Sequence, residues 1–185
     1  MKSEKRKVTK KSLAYAALCF LFLLAIGNLS SSQAGPTFDF SRITSNTPDG
    51  YDLPTIEMTV DPYDDGVISG VLFTFGLTGP GTISEIYFED GILLAVADII
   101  DSPPDVDFFT ADDPLNNDKI EPENLPGGNE LDVPFDATQA LSVEAAGNTS
   151  TGLSEGETLG VVYTLQGGQD YTDVLNAISL GISDP

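Results

Sequence analysis

Residues 67–77 read VISGVLFTFGL, and apolar residues alternate along this stretch. The odd positions from Val71 to Leu77 are all apolar, whereas Thr74 and Gly76 occupy even positions. Side chains of a β-strand alternate between the two faces of a sheet, so an apolar residue at every second position predicts a strand with one face in a core.

The same alternation recurs in short runs along the chain, separated by clusters of Gly, Pro and Asp. Two of these runs lie at Ile56–Val60 and Leu159–Leu165, and a shorter one lies within Val106–Thr110. Residues 92–100 are apolar at both odd and even positions, which predicts a central strand. Eight or nine such strands predict an all-β protein, an antiparallel β-sandwich of Greek-key or jelly-roll type.

Two local signals refine this prediction. Asp90-Gly91 separates two apolar runs and is typical of a type I′ hairpin turn. Tyr171, Val174 and Ile178 are spaced as on one face of an α-helix, with Asp170 suited to the N-cap and Gly181 to the C-terminal stop. We therefore expect a tight hairpin at 90–91 and one short helix near the end of the chain.

The first 34 residues predict a secretory signal peptide. Six of the eight basic residues lie within the first eleven positions, a 15-residue apolar run covers 13–27, and Ser32-Gln33-Ala34 supplies small residues before Gly35. This run is shorter than the roughly 20 residues of a membrane span. An uncleaved anchor is the alternative. We predict two segments, a signal at 1–34 and an acidic β-sandwich domain at 35–185.

The charge of the predicted mature chain excludes several functions. Residues 35–185 carry 28 acidic and 2 basic side chains, a net charge of −26, with no His, Trp or Cys. Without histidine there is no Ser-His-Asp triad and no His-ligated metal. With so few cations the chain is no nucleic-acid binder, because phosphates would be left unneutralised.

The sequence also resembles a known family. The succession IYFEDGILL, NLPGGN, FDATQALSVEAA, GLSEGETLGVVYTLQGG and YTDVLNAISLG is similar to the exported β-sandwich domain of bacterial PEP-CTERM proteins. The resemblance implies a secreted protein handled by the exosortase sorting system and associated with biofilm and envelope material. Members of that family continue into a further strand and a sorting tail. Since this sequence ends at Pro185, the resemblance implies a sandwich that lacks its closing strand.

Calcium is the cofactor that the acidic loops predict. Ca²⁺ takes six to eight oxygen ligands, and Asp is concentrated in two clusters. The first cluster resembles an EF-hand loop only in part, because Tyr63 replaces an acidic ligand and Leu72 replaces the closing Glu. The alternative is that these residues are turn formers on a solvated surface. The candidate ligands are Asp61, Asp64, Asp65, Asp105, Asp107, Asp112, Asp113 and Asp118.

These observations favour a non-enzymatic structural or adhesive protein, located outside the cell or in the cell envelope of a bacterium. The rival hypothesis is a binding module resembling cohesin or carbohydrate-binding sandwiches, which would use a sheet face or the loop 101–130 for recognition. Paired carboxylates could serve a glycosidase, but with 28 acidic residues any pair is uninformative. The expected partners are an extracellular polysaccharide or another envelope protein, with no nucleic acid and no membrane span after signal cleavage.

Overall fold

The computed structural model describes residues 34–40, 52–89, 91–102, 105–111, 135, 137–146 and 149–183, all within one unit from Ala34 to Pro185. The predicted signal at 1–34 lies outside the described residues except for Ala34. The strands are β1 (Thr37–Asp39), β2 (Thr55–Asp64), β3 (Ser69–Thr78), β4 (Thr82–Ile83), β5 (Glu85–Ile86), β6 (Leu93–Ser102), β7 (Phe108–Thr110), β8 (Val143–Ala145), β9 (Leu153–Ser154) and β10 (Thr158–Leu165). The helix α1 spans Tyr171–Ser183.

Five strands pair into one antiparallel sheet in the order β1-β2-β3-β10-β6. Strands β2 and β3 pair over their full ten residues, with Val60 opposite Phe73, and Phe73 lies opposite Val161 of β10. These three side chains are fully buried on the same face. The alternation in residues 67–77 is therefore confirmed as the core-facing pattern of an inner strand.

A second layer of short strands covers this core. It consists of a three-stranded sheet in the order β5-β8-β7 and the separate pair β4-β9. One buried cluster joins residues of both layers, including Phe73 from β3, Val143 from β8 and Leu153 from β9. The fold is thus an antiparallel all-β sandwich with one short helix, as predicted.

Aromatic rings fill the centre between the layers. Phe88 lies against Phe73 and Tyr163, with ring centroids 5.2 and 5.0 Å apart in edge-to-face geometry. The buried Tyr163 hydroxyl donates a hydrogen bond of 2.8 Å to the Leu141 carbonyl oxygen. Burial also raises the pKa of Tyr163, so the hydroxyl keeps its proton and this donor role. Tyr163 therefore links the large sheet to the turn that precedes β8.

Helix α1 begins where the sequence predicted. The Asp170 carboxylate accepts hydrogen bonds from the Thr172 and Asp173 backbone N–H groups, and Asp173 in turn accepts one from the Asp170 N–H. This reciprocal arrangement satisfies donors that the first turn leaves unpaired. The predicted stop at Gly181 is wrong, because the helix continues to Ser183. Glycine lowers helix propensity without forbidding two further residues.

The predicted central position of β6 stays a prediction. Strand β6 pairs with β10 on one side, and within the described residues no strand pairs with its other side. Part of its second apolar surface packs locally. Ile100 lies opposite Gly160 of β10, where a Cβ atom would meet Ile100 and the Leu72 side chain at 3.2 and 3.1 Å. Leu94 on the same strand is largely exposed.

The predicted hairpin at Asp90-Gly91 is also wrong. Strand β5 pairs with β8 and strand β6 pairs with β10, so the chain passes from the small layer to the large sheet between them. The short strand predicted within Val106–Thr110 is confirmed as β7. The missing closing strand stays a prediction, since β1 and β6 are the edges of the sheet only in the part of the chain that the structure describes.

Candidate functional site

A cleft of about 820 Å³ lies where the β2–β3 hairpin meets the connection from β10 to α1. We call it the tyrosine cleft, because Tyr63 from the end of β2 and Tyr171 from the start of α1 both line it. The other side chains that line the cleft include Asp64, Ser69, Gln166, Gln169 and Asp170. Its size falls in the range of cavities that hold small ligands.

Local sequence shapes the hairpin side of the cleft. The Asp64 carboxylate accepts a hydrogen bond from the Gly66 N–H, and the Asp65 carboxylate accepts from the Val67 and Ile68 N–H groups at 2.7 Å. Gly66 has a φ of 84°, a conformation that glycine adopts without strain. The backbone hydrogen bonds from Ile68 and Val67 lower the pKa of Asp65. The ionised carboxylate therefore holds the turn.

The opposite side of the cleft is the Gln166–Asp170 connection. The Gln166 backbone N–H donates to the Ile92 carbonyl oxygen, and its side-chain amide donates to the Gly91 carbonyl oxygen at 2.7 Å. The Gln169 N–H then donates back to the Gln166 carbonyl oxygen. Two hydrogen bonds thus tie the loop to the start of β6, and the N-cap Asp170 fixes where it enters α1.

The two tyrosine rings are held by their hydroxyl groups. The Tyr171 hydroxyl donates a hydrogen bond of 2.9 Å to the Val60 carbonyl oxygen, and the Tyr63 hydroxyl donates to Asp65. Partial burial and the charges of Asp65 and Asp98 raise the pKa of Tyr63, while partial burial and Asp61 raise that of Tyr171. Both phenols are therefore neutral, and each is held by a hydrogen bond within the domain.

The register of the sheet leaves room beside Tyr63. Gly70 lies opposite Tyr63 on β3, and a Cβ atom at Gly70 would clash with the Tyr163 carbonyl oxygen. Only glycine fits this close approach of two strands. The neighbour of Tyr63 across the strand pair consequently has no side chain that could cover the ring.

The cleft is negatively charged. Asp64 and Asp170 line it, and Asp61 is close enough to Tyr171 to raise its pKa. Within the described residues there is no Lys, Arg or His, so no cation offsets these carboxylates. A concave site with charge of one sign concentrates the local field. It therefore disfavours anionic ligands.

The carboxylates of the first predicted calcium cluster accept hydrogen bonds from backbone N–H groups. Asp61 accepts a hydrogen bond of 2.6 Å from the Gly35 N–H, and Asp64 and Asp65 hold the hairpin turn. Each of the three carboxylates thus has a structural role near the tyrosine cleft. For Asp64 and Asp65 this placement corresponds to the alternative that the sequence left open, in which the residues form turns, whereas Asp61 lies within β2.

The second predicted cluster is described only in part. Asp105 and Asp107 are exposed on the segment that leads to β7, and Asp112, Asp113 and Asp118 lie outside the described residues. In the part of the chain that is described, no three acidic, His or Cys side chains gather closely enough to hold a metal ion. Calcium binding therefore stays a prediction.

A different acidic group forms at the edge of the sheet. The Asp98 and Asp107 carboxylates lie near Asp101, and desolvation together with these charges raises the pKa of Asp101. A hydrogen bond from the Phe108 backbone N–H to Asp101 opposes this rise. The three residues come together because β6 turns into β7, which sequence spacing alone does not reveal.

The sequence did not single out the residues of the tyrosine cleft. Tyr63 was noted only as the residue that interrupts a calcium motif, and Tyr171 only as one position of the helix pattern. Gln166 and Gln169 carried no signal. The one clue in the sequence was the Gly167-Gly168 pair directly after a strong strand, which marks a connection at the sheet end but does not name its neighbours.

Comparisons with known proteins identify no relative of this chain. No family model, curated protein or solved structure matches the chain. Within its described residues, the chain forms no helix that is long and apolar enough to cross a membrane.

Proposed function

We propose that this chain is an exported, non-enzymatic β-sandwich of the PEP-CTERM type, with a structural or adhesive role in the cell envelope or extracellular matrix of a bacterium. The observation that carries the proposal is the acidic exterior. Carboxylates lie on both layers, for example Glu57 on the large sheet and Glu144 on the small layer, and the described residues include no basic side chain. Such a surface supports solubility and repels copies of itself.

Within the described residues β6 forms an edge of the large sheet, and this edge supports the same interpretation. A free edge strand is a template for adding a strand from another chain. In β6, Ala97 has no partner on β10 and forms a bulge, and the Asp98 carboxylate accepts a hydrogen bond of 3.0 Å from the Ile99 N–H. A bulge and a charged side chain both protect edges. We infer that contacts between copies require a bridging cation or a neutral polymer.

Export and matrix association form the first test. We expect the secreted protein to begin near Gly35 and to be recovered with the extracellular matrix of the producing bacterium. N-terminal sequencing and cell fractionation measure both. An intact Met1 terminus in the membrane fraction would contradict the cleaved signal and favour the anchored alternative.

Calcium is the bridging cation that we propose. A ligand that binds only the folded state adds about 2.7 kcal/mol to the free energy of unfolding at one hundred times its Kd. Melting is measured in millimolar CaCl₂ and compared with NaCl and MgCl₂ at matched ionic strength. The comparison is repeated with Asp61 and Asp65, or Asp105 and Asp107, changed to Asn. Equal melting temperatures in all three salts, unaffected by either double variant, would leave only a solvated acidic surface.

A second candidate function is a binding module, as in carbohydrate-binding sandwiches. The observation that favours it is the tyrosine cleft, which combines two aromatic rings with amide and carboxylate side chains. An extracellular polysaccharide or another envelope protein would then be the partner. A binding module can have an adhesive role, so the two candidates are compatible.

A further inference from the structure

We propose that the tyrosine cleft binds a short segment of an uncharged oligosaccharide. This inference rests on the second candidate function and names the ligand class and the residues that recognise it. Three observations carry it: the faces of two fixed aromatic rings, exposed polar side chains that line the cleft, and a charge that excludes anions.

The ring faces of Tyr63 and Tyr171 are the apolar part of the site. Both residues line the cleft and are partly exposed, and Tyr171 also packs against the hydrophobic core. An aromatic face packs against the C–H surface of a sugar ring. Since both rings are already fixed, binding costs little side-chain entropy.

Polar groups around the rings match sugar hydroxyls. The Gln169 side-chain amide and the Ser69 hydroxyl both line the cleft and are exposed to a ligand. Asp64 uses its Oδ1 atom for the Gly66 N–H, which leaves Oδ2 as an acceptor. An amide donates and accepts, a carboxylate accepts, and a hydroxyl does both. A sugar, whose hydroxyls also do both, can satisfy all three.

Charge excludes an anionic sugar from the site. A uronic acid or sulfated sugar would place an anion beside Asp64 and Asp170, with no basic side chain among the described residues to pair with it. A neutral sugar avoids this repulsion. Its affinity should also be insensitive to salt, because no ion pair is formed.

Gly167 is exposed and lines the cleft. A Cβ atom there would meet nothing within 4 Å, and the residue does not adopt a positive φ. A larger side chain can therefore be placed at this margin of the cleft without straining the backbone. Gly76 offers a matched control, since it also has open space, lacks a positive φ and lies at the opposite end of β3, about 20 Å from Gly70.

Isothermal titration calorimetry with five hexasaccharides tests the proposal. The neutral probes are cellohexaose, laminarihexaose and N-acetylated chitohexaose. Deacetylated chitohexaose is the cationic probe, and hexagalacturonate is the anionic one. We expect at least one neutral probe to bind with the same Kd in 0.1 and 0.5 M NaCl, and hexagalacturonate not to bind. If no neutral probe binds up to 10 mM, or if only the cationic probe binds and is released by salt, the proposal is overturned.

Variants locate the binding. Tyr63→Leu should weaken the binding of the neutral probe about tenfold, the size of one aromatic contact. Gly167→Phe should abolish binding. The controls Tyr87→Leu, on the segment between β5 and β6, and Gly76→Phe should bind like the wild type. Thermal melting confirms that each variant is folded, and unchanged binding in both cleft variants would overturn the assignment to this cleft.

Failure of the inference can be distinguished from failure of the proposed function. The matrix-bound fraction of Gly167→Phe is compared with that of Gly76→Phe in the producing bacterium. Retention of both variants in the matrix, with no oligosaccharide bound by the wild type in vitro, would reject the sugar site but keep the matrix role. Binding in vitro by a wild-type protein that is never exported would keep the sugar site but reject the matrix role.

Discussion

The two layers of the sandwich are held in place by different means. In the large sheet, β2 and β3 pair over ten residues each, and β10 pairs with neighbours on both sides. In the small layer, β5 and β9 have two residues each, and β7 and β8 have three. Strands of two or three residues form few ladder hydrogen bonds. The small layer must therefore depend on its contacts with the large sheet.

Those contacts combine a shared apolar core with specific aromatic and hydrogen-bond contacts. Phe88 packs between Phe73 and Tyr163, and the Tyr163 hydroxyl bonds to the Leu141 carbonyl oxygen just before β8. Within the turn before β8, the fully buried Ser142 hydroxyl donates to the Thr138 carbonyl oxygen. A regular ladder thus defines the large sheet, while the shared core, the aromatic cluster and the Tyr163 hydrogen bond position the small layer. The large sheet should open last and the small layer first.

Phe73→Ala should have the largest effect, because this side chain contacts both layers. Deleting a buried phenyl ring leaves a cavity and lowers the free energy of unfolding by about 3–5 kcal/mol. Chemical denaturation measures the loss. Leu94→Ala, at a side chain that is 59% exposed on β6, is the control and should change stability little. Equal losses at the two positions would show that the core-facing register is misassigned.

Tyr163→Phe tests the bond between the layers. The substitution keeps the ring but leaves the Leu141 carbonyl oxygen buried without its partner, which costs about 1–3 kcal/mol. Hydrogen exchange should show faster opening around β8 than around β3. The control is Tyr87→Phe, which loses only an exposed bond of 3.0 Å to Glu85. Uniformly faster exchange in both layers would mean that the layers do not open separately.

Asp170→Ala tests the helix that follows β10. Loss of the N-cap leaves the Thr172 and Asp173 N–H groups without their acceptor and should cost about 1 kcal/mol. Exchange should quicken in α1 and leave the strands unaffected. Asp170→Asn should restore most of the stability, because Asn is also a good N-cap. An effect spread over β2 and β3 would show that the helix is part of the same cooperative unit.

Asp101→Asn should have the smallest effect on stability, and it should stabilise the domain where the other substitutions destabilise it. Desolvation and the charges of Asp98 and Asp107 raise the folded-state pKa of Asp101, so its ionised form is destabilising. This cost is present above the folded-state pKa and absent below the unfolded pKa of about 3.9. The amide should therefore raise the melting temperature slightly at pH 7 and leave it unchanged near pH 3. Asp39→Asn, on the opposite edge strand β1, is the control, and a gain that persists at low pH would contradict the electrostatic explanation.

The sequence predicted which residues form strands better than it predicted which strands pair with each other. Alternation placed the core faces of β2, β3 and β10, and the Asp170 cap was correct. Residues 92–100 were assigned to the centre of the sheet because apolar residues on both faces usually mean two covered sides. Within the described residues β6 pairs only with β10, and its Ile100 packs beside Gly160 and Leu72. Such a contact joins β3, β10 and β6, so no window of local sequence contains it.

The candidate site was less predictable than the fold. The acidic clusters were visible because the residues are close in sequence, whereas the tyrosine cleft joins Tyr63 to a helix more than one hundred residues later. The sequence by itself determined the strands and the helix start, because periodicity and capping act over a few residues. It also determined the acidic charge, which follows from composition alone. Strand order, the passage of the chain from the small layer to the large sheet between β5 and β6, and the cleft were decided only by the tertiary structure. They depend on which strands pair across the sheet, and that choice is set by the packing of the whole core.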